Sequence, residues 1–203
     1  MSSPGRLYTS ENKRGLSEVG SNACTDIIVI FARGTGEAAP IGDIVGPQLQ
    51  ASLEKSLTSL GKSLTFAGVD YPADLVGYLE GGSMTGSETM AQDASLLFTS
   101  SFRLASIVSV GYSQGAQLVH NSAKLLPPEI SGRIKAVVTF GDPDKDQKIE
   151  NIPVQNDDII CHPLDAICFG SELLDILIII FLENHLDYNL DCDAAAKFIT
   201  DRV

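Results

Sequence analysis

The stretch SIVSVGYSQGAQLVH, residues 106–120, decides the fold, because it passes from a strand-forming run into a helical one through a serine flanked by glycines. Its branched residues between positions 107 and 110 favour a buried strand, since such side chains fit the pleat of a sheet. After Ser113, apolar residues recur at helical spacing until two prolines at 127 and 128 end the pattern. The stretch therefore predicts a strand, a tight turn and a helix.

This order of elements is the context of a nucleophile elbow, a turn that holds a serine up for chemistry. Gly111 and Gly115 fit this interpretation, because such a turn leaves no room for side chains on either side of the serine. The alternative is an ordinary strand-to-helix turn in which the glycines only add backbone flexibility and Ser113 has no catalytic role.

The rest of the chain alternates short apolar runs with segments of helical spacing. Further strands are predicted at 26–33, 64–71, 134–141 and 157–163, and helices at 44–60, 85–98 and 193–203. Continuous apolar runs indicate strands buried on both faces, and alternation with helices implies right-handed crossovers. We therefore expect an α/β fold around a mostly parallel five-stranded sheet, with the ligand crevice at the carboxyl ends of the strands, where Ser113 falls.

Length, composition and charge bound the class of protein. The 203 residues are 44% hydrophobic and 20% charged, which indicates one folded domain, here 24–203, preceded by a polar arm at 1–23. That arm contains no apolar stretch of a signal peptide, so we expect that a leader was removed from this version of the chain. The net charge of −12 argues against nucleic acid as a partner.

The four cysteines are Cys24, Cys161, Cys168 and Cys192. None of them forms a C-x-x-C pair or a cluster with histidine at zinc spacing, which argues against a metal site. An even number is compatible with two disulfides and an oxidising compartment. Four buried thiols in a cytosolic protein are the alternative that the spacing leaves open.

A serine nucleophile needs a histidine to take its proton and a carboxylate to orient that histidine. Of the three histidines, His120 lies about 10 Å along the helix that leaves Ser113, so it moves away from the elbow. His162 and His185 remain. The chain order of α/β-hydrolases is serine, acid, histidine, and Asp165 follows the last predicted strand with only His185 after it. We therefore predict a triad of Ser113, Asp165 and His185.

An oxyanion hole requires two backbone N–H groups, one from the residue after the nucleophile and one from a loop after an earlier strand. The first is that of Gln114. The second is predicted at Thr35 in the loop ARGTGE, 32–37, whose glycines let backbone approach a ligand. Taken alone, this loop is equally compatible with a plain turn.

Together these segments resemble the cutinase family of small serine esterases. CTDIIVIFARGTGE resembles the opening strand and oxyanion loop of that family, GYSQGAQ its nucleophile elbow, CHPLDAICFGS its loop bracketed by cysteines, and NHLDY its histidine segment. The similarity is collinear from Cys24 to Val203.

The resemblance implies a three-layer α/β/α sandwich, hydrolysis of ester bonds in cutin and related lipids, and no metal or cofactor. It implies Ser113 as nucleophile, His185 as base and acid, Asp165 as orienting carboxylate, and Thr35 and Gln114 as oxyanion donors. It also implies a disulfide between Cys161 and Cys168.

Two features depart from the family pattern. The family commonly pairs its first-strand cysteine with one just before the nucleophile strand, and here that region reads TSSFRLAS. We therefore predict a bridge between Cys24 and Cys192, with two free thiols as the alternative. The segment between Asp165 and His185 is longer and more apolar than expected. Its residues 173–182 are expected to form an adsorption surface or partial lid, or else to pack into the core.

The sequence thus predicts a secreted, monomeric carboxylic-ester hydrolase of cutinase type that contacts lipid or polyester surfaces. Two alternatives stay open at this point. One is an acetylxylan-type esterase with a small acyl pocket, and the other is a non-catalytic protein that binds surfaces on the same fold.

Overall fold

The computed structural model describes residues 25–99, 104–169 and 183–203. The predicted arm at 1–23, Cys24 and the apolar segment 173–182 lie outside the described residues. The strands are β1 (Ile27–Ala32), β2 (Leu64–Gly68), β3 (Ser106–Tyr112), β4 (Ile134–Phe140) and β5 (Asp157–Ile160). The helices are α1 (Gly46–Ser59), α2 (Leu75–Leu79), α3 (Met84–Thr99), α4 (Gln114–Leu125), α5 (Pro128–Ser131), α6 (Ala166–Phe169) and α7 (Cys192–Thr200).

The five strands form one sheet in the order β2-β1-β3-β4-β5. Every neighbouring pair is parallel; Phe31 pairs with Val110 between β1 and β3, and Val138 pairs with Asp158 between β4 and β5. Because parallel strands need crossover connections, the helices that join them cover both faces of the sheet. The prediction of a five-stranded parallel α/β sheet is confirmed.

The two faces of the sheet carry two separate hydrophobic cores. Odd positions of β1, such as Phe31, pack with Leu49 of α1 and Ile199 of α7. Even positions, such as Ile30, pack with Met90 of α3 and Leu118 of α4. This alternation is the period of two of a strand, and both sets are fully buried. The result is the expected three-layer sandwich.

The cysteine predictions have different outcomes. Cys161 and Cys168 form a disulfide, as expected. Cys192 is a free cysteine, so the predicted bridge between Cys24 and Cys192 is wrong for this structure. The physical reason is its position: Cys192 opens α7 fully buried, and its Sγ faces the carbonyl oxygens of Val45 and Tyr188. Burial raises the pKa of this thiol to about 12.

Among the helices of the described residues, none combines the length and the hydropathy that a membrane span requires. The same residues contain no group of three or more histidines, cysteines or acidic side chains placed to hold a metal ion.

Candidate active site

Ser113 occupies the sharp turn between β3 and α4. Its backbone angles are φ 56° and ψ −120°, a conformation that residues other than glycine rarely adopt. The turn is held by the N–H of Ser113, which donates to the Phe140 carbonyl on the neighbouring strand at 2.9 Å. A strained serine between a buried strand and a helix N-terminus has the geometry of a nucleophile elbow.

The glycines on either side of Ser113 are required by close approach of backbone. A Cβ at Gly111 would lie 2.2 Å from the carbonyl oxygen of Gly115, and a Cβ at Gly115 would lie 2.0 Å from that of Ala32. Neither contact tolerates a side chain, because both neighbours are backbone atoms. The glycine spacing therefore serves to pack α4 directly on β3 and β1.

Asp165 and His185 meet at the carboxyl edge of the sheet. Nδ1 of His185 lies 2.8 Å from Oδ2 of Asp165, and Asp165 is fully buried. The other carboxylate oxygen of Asp165 accepts the Ile167 N–H at 2.9 Å. Burial raises the pKa of Asp165, but the hydrogen bond and charge of His185, with the bonds from Tyr188 and Ile167, lower it more, so this pKa lies below its usual range.

The imidazole of His185 is fixed on several sides. Tyr112 stacks on it with ring centroids 5.2 Å apart and donates its hydroxyl to the His185 carbonyl at 2.7 Å. A Cβ at Gly141 would lie 2.6 Å from Cε1 of the ring. These contacts place the ring beside the strand ends that hold Ser113. Its Nε2 is buried and has no hydrogen-bond partner among the described residues, so this nitrogen is left available in the site.

Thr35 and Gln114 also lie together. The side-chain Nε2 of Gln114 donates to Oγ1 of Thr35 at 2.9 Å and to the Asp74 carbonyl at 2.7 Å. Gln114 is fully buried and is the first residue of α4, where backbone N–H groups lack an intrahelical acceptor. Since the Thr35 oxygen accepts from Gln114, its own hydroxyl proton is free to donate elsewhere.

The loop that carries Thr35 is held by two charged side chains. The buried guanidinium of Arg33 donates to the carbonyls of Glu37, Val69 and Tyr71. The Glu37 carboxylate accepts the Gly34 N–H at 2.6 Å. The charges thus bind backbone groups of the loop, which fixes its path over β1.

The remaining histidines have partners of their own. His120 is buried in α4, and its Nε2 lies 3.0 Å from Oδ2 of Asp142. His162 lies between the carboxylates of Asp187 and Asp191. Neither histidine contacts Asp165 by a hydrogen bond, so the structure brings His185 and not the others to the acid.

Tyr188 was missed by the sequence interpretation. Its ring is fully buried, and its hydroxyl donates to Oδ2 of Asp165 at 2.7 Å while accepting the backbone N–H of His162 at 2.9 Å. The available signal was its place at the end of the NHLDY segment, three residues after His185. That signal does not distinguish a buried tyrosine from an exposed one.

The sequence model of the family described as cutinase matches residues 23–203. The chain belongs to the cutinase family. It is 45% identical over 179 residues to a cutinase of Botryotinia fuckeliana, covering 88% of this chain and 84% of that one. To a cutinase of Monilinia fructicola it is 42% identical over 182 residues, covering 90% and 85%.

Solved structures agree with this family assignment. The Trichoderma reesei cutinase in complex with a C11Y4 phosphonate inhibitor is 36% identical, with a TM-score of 0.78 over 88% of this chain and 76% of that one. An acetylxylan esterase is 18% identical, with a TM-score of 0.66, which is a likeness of fold alone. The predicted family, the α/β-hydrolase fold and the assignment as a serine esterase of cutinase type are confirmed.

Proposed function

We propose that Ser113, Asp165 and His185 are the catalytic triad of this cutinase-family esterase. The observation that carries the proposal is the buried pair of His185 and Asp165, which leaves Nε2 of the imidazole without a partner in the described part of the chain, beside the strained Ser113 turn. Nε2 takes the proton of the Ser113 hydroxyl while Oγ attacks the ester carbonyl carbon. The carboxylate of Asp165 stabilises the imidazolium that forms and keeps Nδ1 protonated.

The carbonyl electrons move onto oxygen in the tetrahedral intermediate, and that oxyanion needs donors. We assign the backbone N–H groups of Gln114 and Thr35 and the hydroxyl of Thr35 to this role. The positive end of the α4 dipole supports the same charge, because Gln114 opens that twelve-residue helix. When the intermediate collapses, the alcohol leaves with the proton from His185, and an acyl-serine remains. Water activated by His185 then hydrolyses the acyl-serine.

An apolar ester is the substrate class that the surface favours. Exposed apolar side chains occur on the three segments that carry or support the site, namely Leu75, Val76 and Leu79 on α2, Leu164 before Asp165, and Leu186 after His185. Helix α2 is tied to the oxyanion loop, because the Asp74 carbonyl that precedes it accepts from Gln114. Exposed apolar side chains at these positions are suited to bind the acyl chains of cutin, polyester or lipid esters and to make peripheral contact with their surfaces.

We further infer that the protein works as a secreted monomer. The disulfide between Cys161 and Cys168 supports an oxidising compartment, since such bonds are rare where thiols are kept reduced. The two cysteines lie on either side of Asp165 in the chain. An environment that keeps the disulfide oxidised therefore also supports the loop that carries the proposed acid.

The test is intact-mass analysis after treatment with diethyl 4-nitrophenyl phosphate, which transfers one diethylphosphoryl group to an activated serine. We expect one adduct on the parent and none on Ser113→Ala. Absence of an adduct on the folded parent would contradict an activated serine and favour a non-catalytic surface-binding protein. Rates with 4-nitrophenyl acetate, butyrate and octanoate then separate the substrate classes: activity that extends to butyrate and longer esters supports the cutinase-type substrate, and activity restricted to acetate supports the acetylxylan type.

A further inference from the structure

His162 is placed between two carboxylates. It follows β5, and its side chain is about one-fifth exposed. Nδ1 lies 2.8 Å from Oδ1 of Asp187, and Nε2 lies 2.6 Å from Oδ2 of Asp191. We refer to His162, Asp187 and Asp191 as the His162 clamp. No step of the proposed ester hydrolysis uses these three residues.

The clamp requires a particular protonation state. A neutral imidazole has one N–H and one lone pair, so one of the two carboxylates would face a lone pair at hydrogen-bond distance. Only the imidazolium donates to both. Burial lowers the pKa of His162, but the hydrogen bonds and charges of Asp191 and Asp187 raise it more, so the net pKa is higher than usual for histidine.

The clamp is connected to the proposed triad by two routes. The His162 ring stacks on Tyr188 with centroids 4.1 Å apart, and its backbone N–H donates to the hydroxyl that in turn donates to Asp165. Nδ1 also lies 3.1 Å from the carbonyl oxygen of Asn184, the residue before His185. One imidazole therefore contacts the segment on both sides of His185.

We propose that His162, in its doubly protonated form, is a positioning residue that holds residues 184–191 against the end of β5 and thereby fixes His185 and Asp165. The inference rests on the proposed function, in which those two residues act with Ser113. Loss of one proton turns an attractive contact of the clamp into a repulsive one. The segment that carries His185 is then held on one side only, and the rate of ester hydrolysis falls.

Few other titratable groups face His162 among the described residues. Tyr188 lies under the ring, and Asp165 lies beyond its hydroxyl. Burial is the main cause that raises the pKa of Tyr188, so this phenol stays protonated when His162 titrates. The adjacent Cys161 is bound in a disulfide and does not titrate. The proton of His162 itself is thus the one that changes the clamp between neutral and alkaline pH.

The test combines NMR with rate measurements. The chain has three histidines, so the ring nitrogens of His162 can be assigned in ¹⁵N spectra by single substitutions and followed with pH. In parallel, kcat and KM for 4-nitrophenyl butyrate are measured from pH 6 to pH 10. We expect the imidazolium of His162 to persist above neutral pH. We also expect kcat of the parent to fall at least fivefold as the imidazolium disappears, with little change in KM.

Asp187→Asn is the informative variant. Its carboxamide can donate to an unprotonated Nδ1 while Nε2–H still donates to Asp191, so a neutral ring keeps both side-chain contacts of the clamp and gives up only the contact of Nδ1 with the Asn184 carbonyl. The Asp187 side chain is 46% exposed, so we expect the variant to fold. Its kcat at pH 7 should be within threefold of the parent, and its fall at alkaline pH should be absent. Asp201→Asn removes a similar charge from the exposed pair with Lys197 and should keep the fall of the parent.

His162→Gln supplies the second variant, because a carboxamide keeps one donor and does not titrate. We expect kcat at pH 7 to fall about tenfold and the fall of kcat at alkaline pH to be absent. The inference is overturned if His162 is neutral at pH 7 in the folded protein, or if Asp187→Asn keeps the alkaline fall of the parent. Absence of hydrolysis by the parent at every pH would instead refute the proposed function, while the NMR titration would still decide the state of the clamp.

Discussion

The hydroxyl of Tyr188 and the imidazole of His185 share one oxygen of Asp165, at 2.7 Å and 2.8 Å. Two donors to one oxygen restrict the orientation of the Asp165 carboxylate. The orientation of His185 therefore depends on Tyr188, which does not itself touch the proposed reacting atoms. The same tyrosine also packs edge-on against the His185 ring, with centroids 5.9 Å apart.

Tyr188→Phe removes one donor from Asp165 and the acceptor of the His162 backbone N–H. Hydrogen bonds to charged groups contribute about 1.5–3 kcal/mol, so kcat should fall by about 10- to 100-fold with KM nearly unchanged. Steady-state kinetics on 4-nitrophenyl butyrate measures this. A variant that loses thermal stability but keeps kcat would show that the hydroxyl supports only the fold.

Gly141→Ala should abolish activity, because the added Cβ would lie 2.6 Å from Cε1 of His185. Gly61→Ala is the matched control. Both glycines have positive φ, 57° and 68°, but a Cβ at Gly61 meets nothing within 4 Å. Both variants should lose about 1 kcal/mol of stability from backbone strain. Only the first should lose hydrolysis, and equal losses in the two would contradict the role of the close packing between Gly141 and the His185 ring.

Thr35→Val keeps the shape of the side chain and removes the hydroxyl assigned to the oxyanion. Loss of one oxyanion donor costs roughly 10²-fold or more in kcat, and we expect a fall of this order. Thr35→Ser restores the hydroxyl and should recover most of the rate. If valine and serine variants lose the same rate, the hydroxyl is not a donor to the transition state and the backbone N–H alone serves.

Asp93 provides a prediction on stability and pH. Its carboxylate is buried in α3, and Oδ2 has no partner within residues 25–99, 104–169 and 183–203; burial, and then the charge of Asp70, raise its pKa to about 6. The folded protein thus binds this proton more tightly than the unfolded chain, whose aspartate pKa is about 3.9. The contribution to stability is complete below about pH 4, is lost as pH rises through about 6, and amounts to about 3 kcal/mol.

Asp93→Asn should therefore stabilise the protein at pH 8 relative to its effect at pH 4, by up to this amount. Urea unfolding at the two pH values measures the difference. Glu88→Gln, at an exposed position on the same helix, should show little dependence on pH. A difference of the same size in both variants would mean that overall charge, and not the buried carboxylate, is the cause.

Most of the sheet could be predicted, because parallel strands that are buried on both faces appear in the sequence as continuous apolar runs. All five strands lie within the predicted ranges, although β2 ends at Gly68 and not at position 71. Helix α2 was missed because it is only five residues long, and its apolar side chains at Leu75, Val76 and Leu79 are exposed, so no buried stripe reveals a helical period. Propensity and period detect elements that face a core, and this helix faces solvent.

Some features of the candidate site could likewise be predicted from the sequence, and others could not. Chain order was enough to predict that Asp165 and His185 form a pair, because order is a property of the sequence. The contacts of Tyr188 and the clamp around His162 depend on which side of a turn each residue occupies, and no period reports this. The bridge to Cys192 was wrong because the absence of a cysteine in TSSFRLAS says nothing about the distance between the two sulfurs that remain.

The sheet order also determines when the protein acquires its function during folding. Thr35 follows β1, Ser113 follows β3, Gly141 follows β4 and Asp165 follows β5, so four strands must pair before these residues meet. Such pairings join distant parts of the chain and are slow to form, because loop closure costs entropy before the contacts repay it. Regain of hydrolysis after dilution from urea would therefore report the last of these closures, well after helical structure has returned.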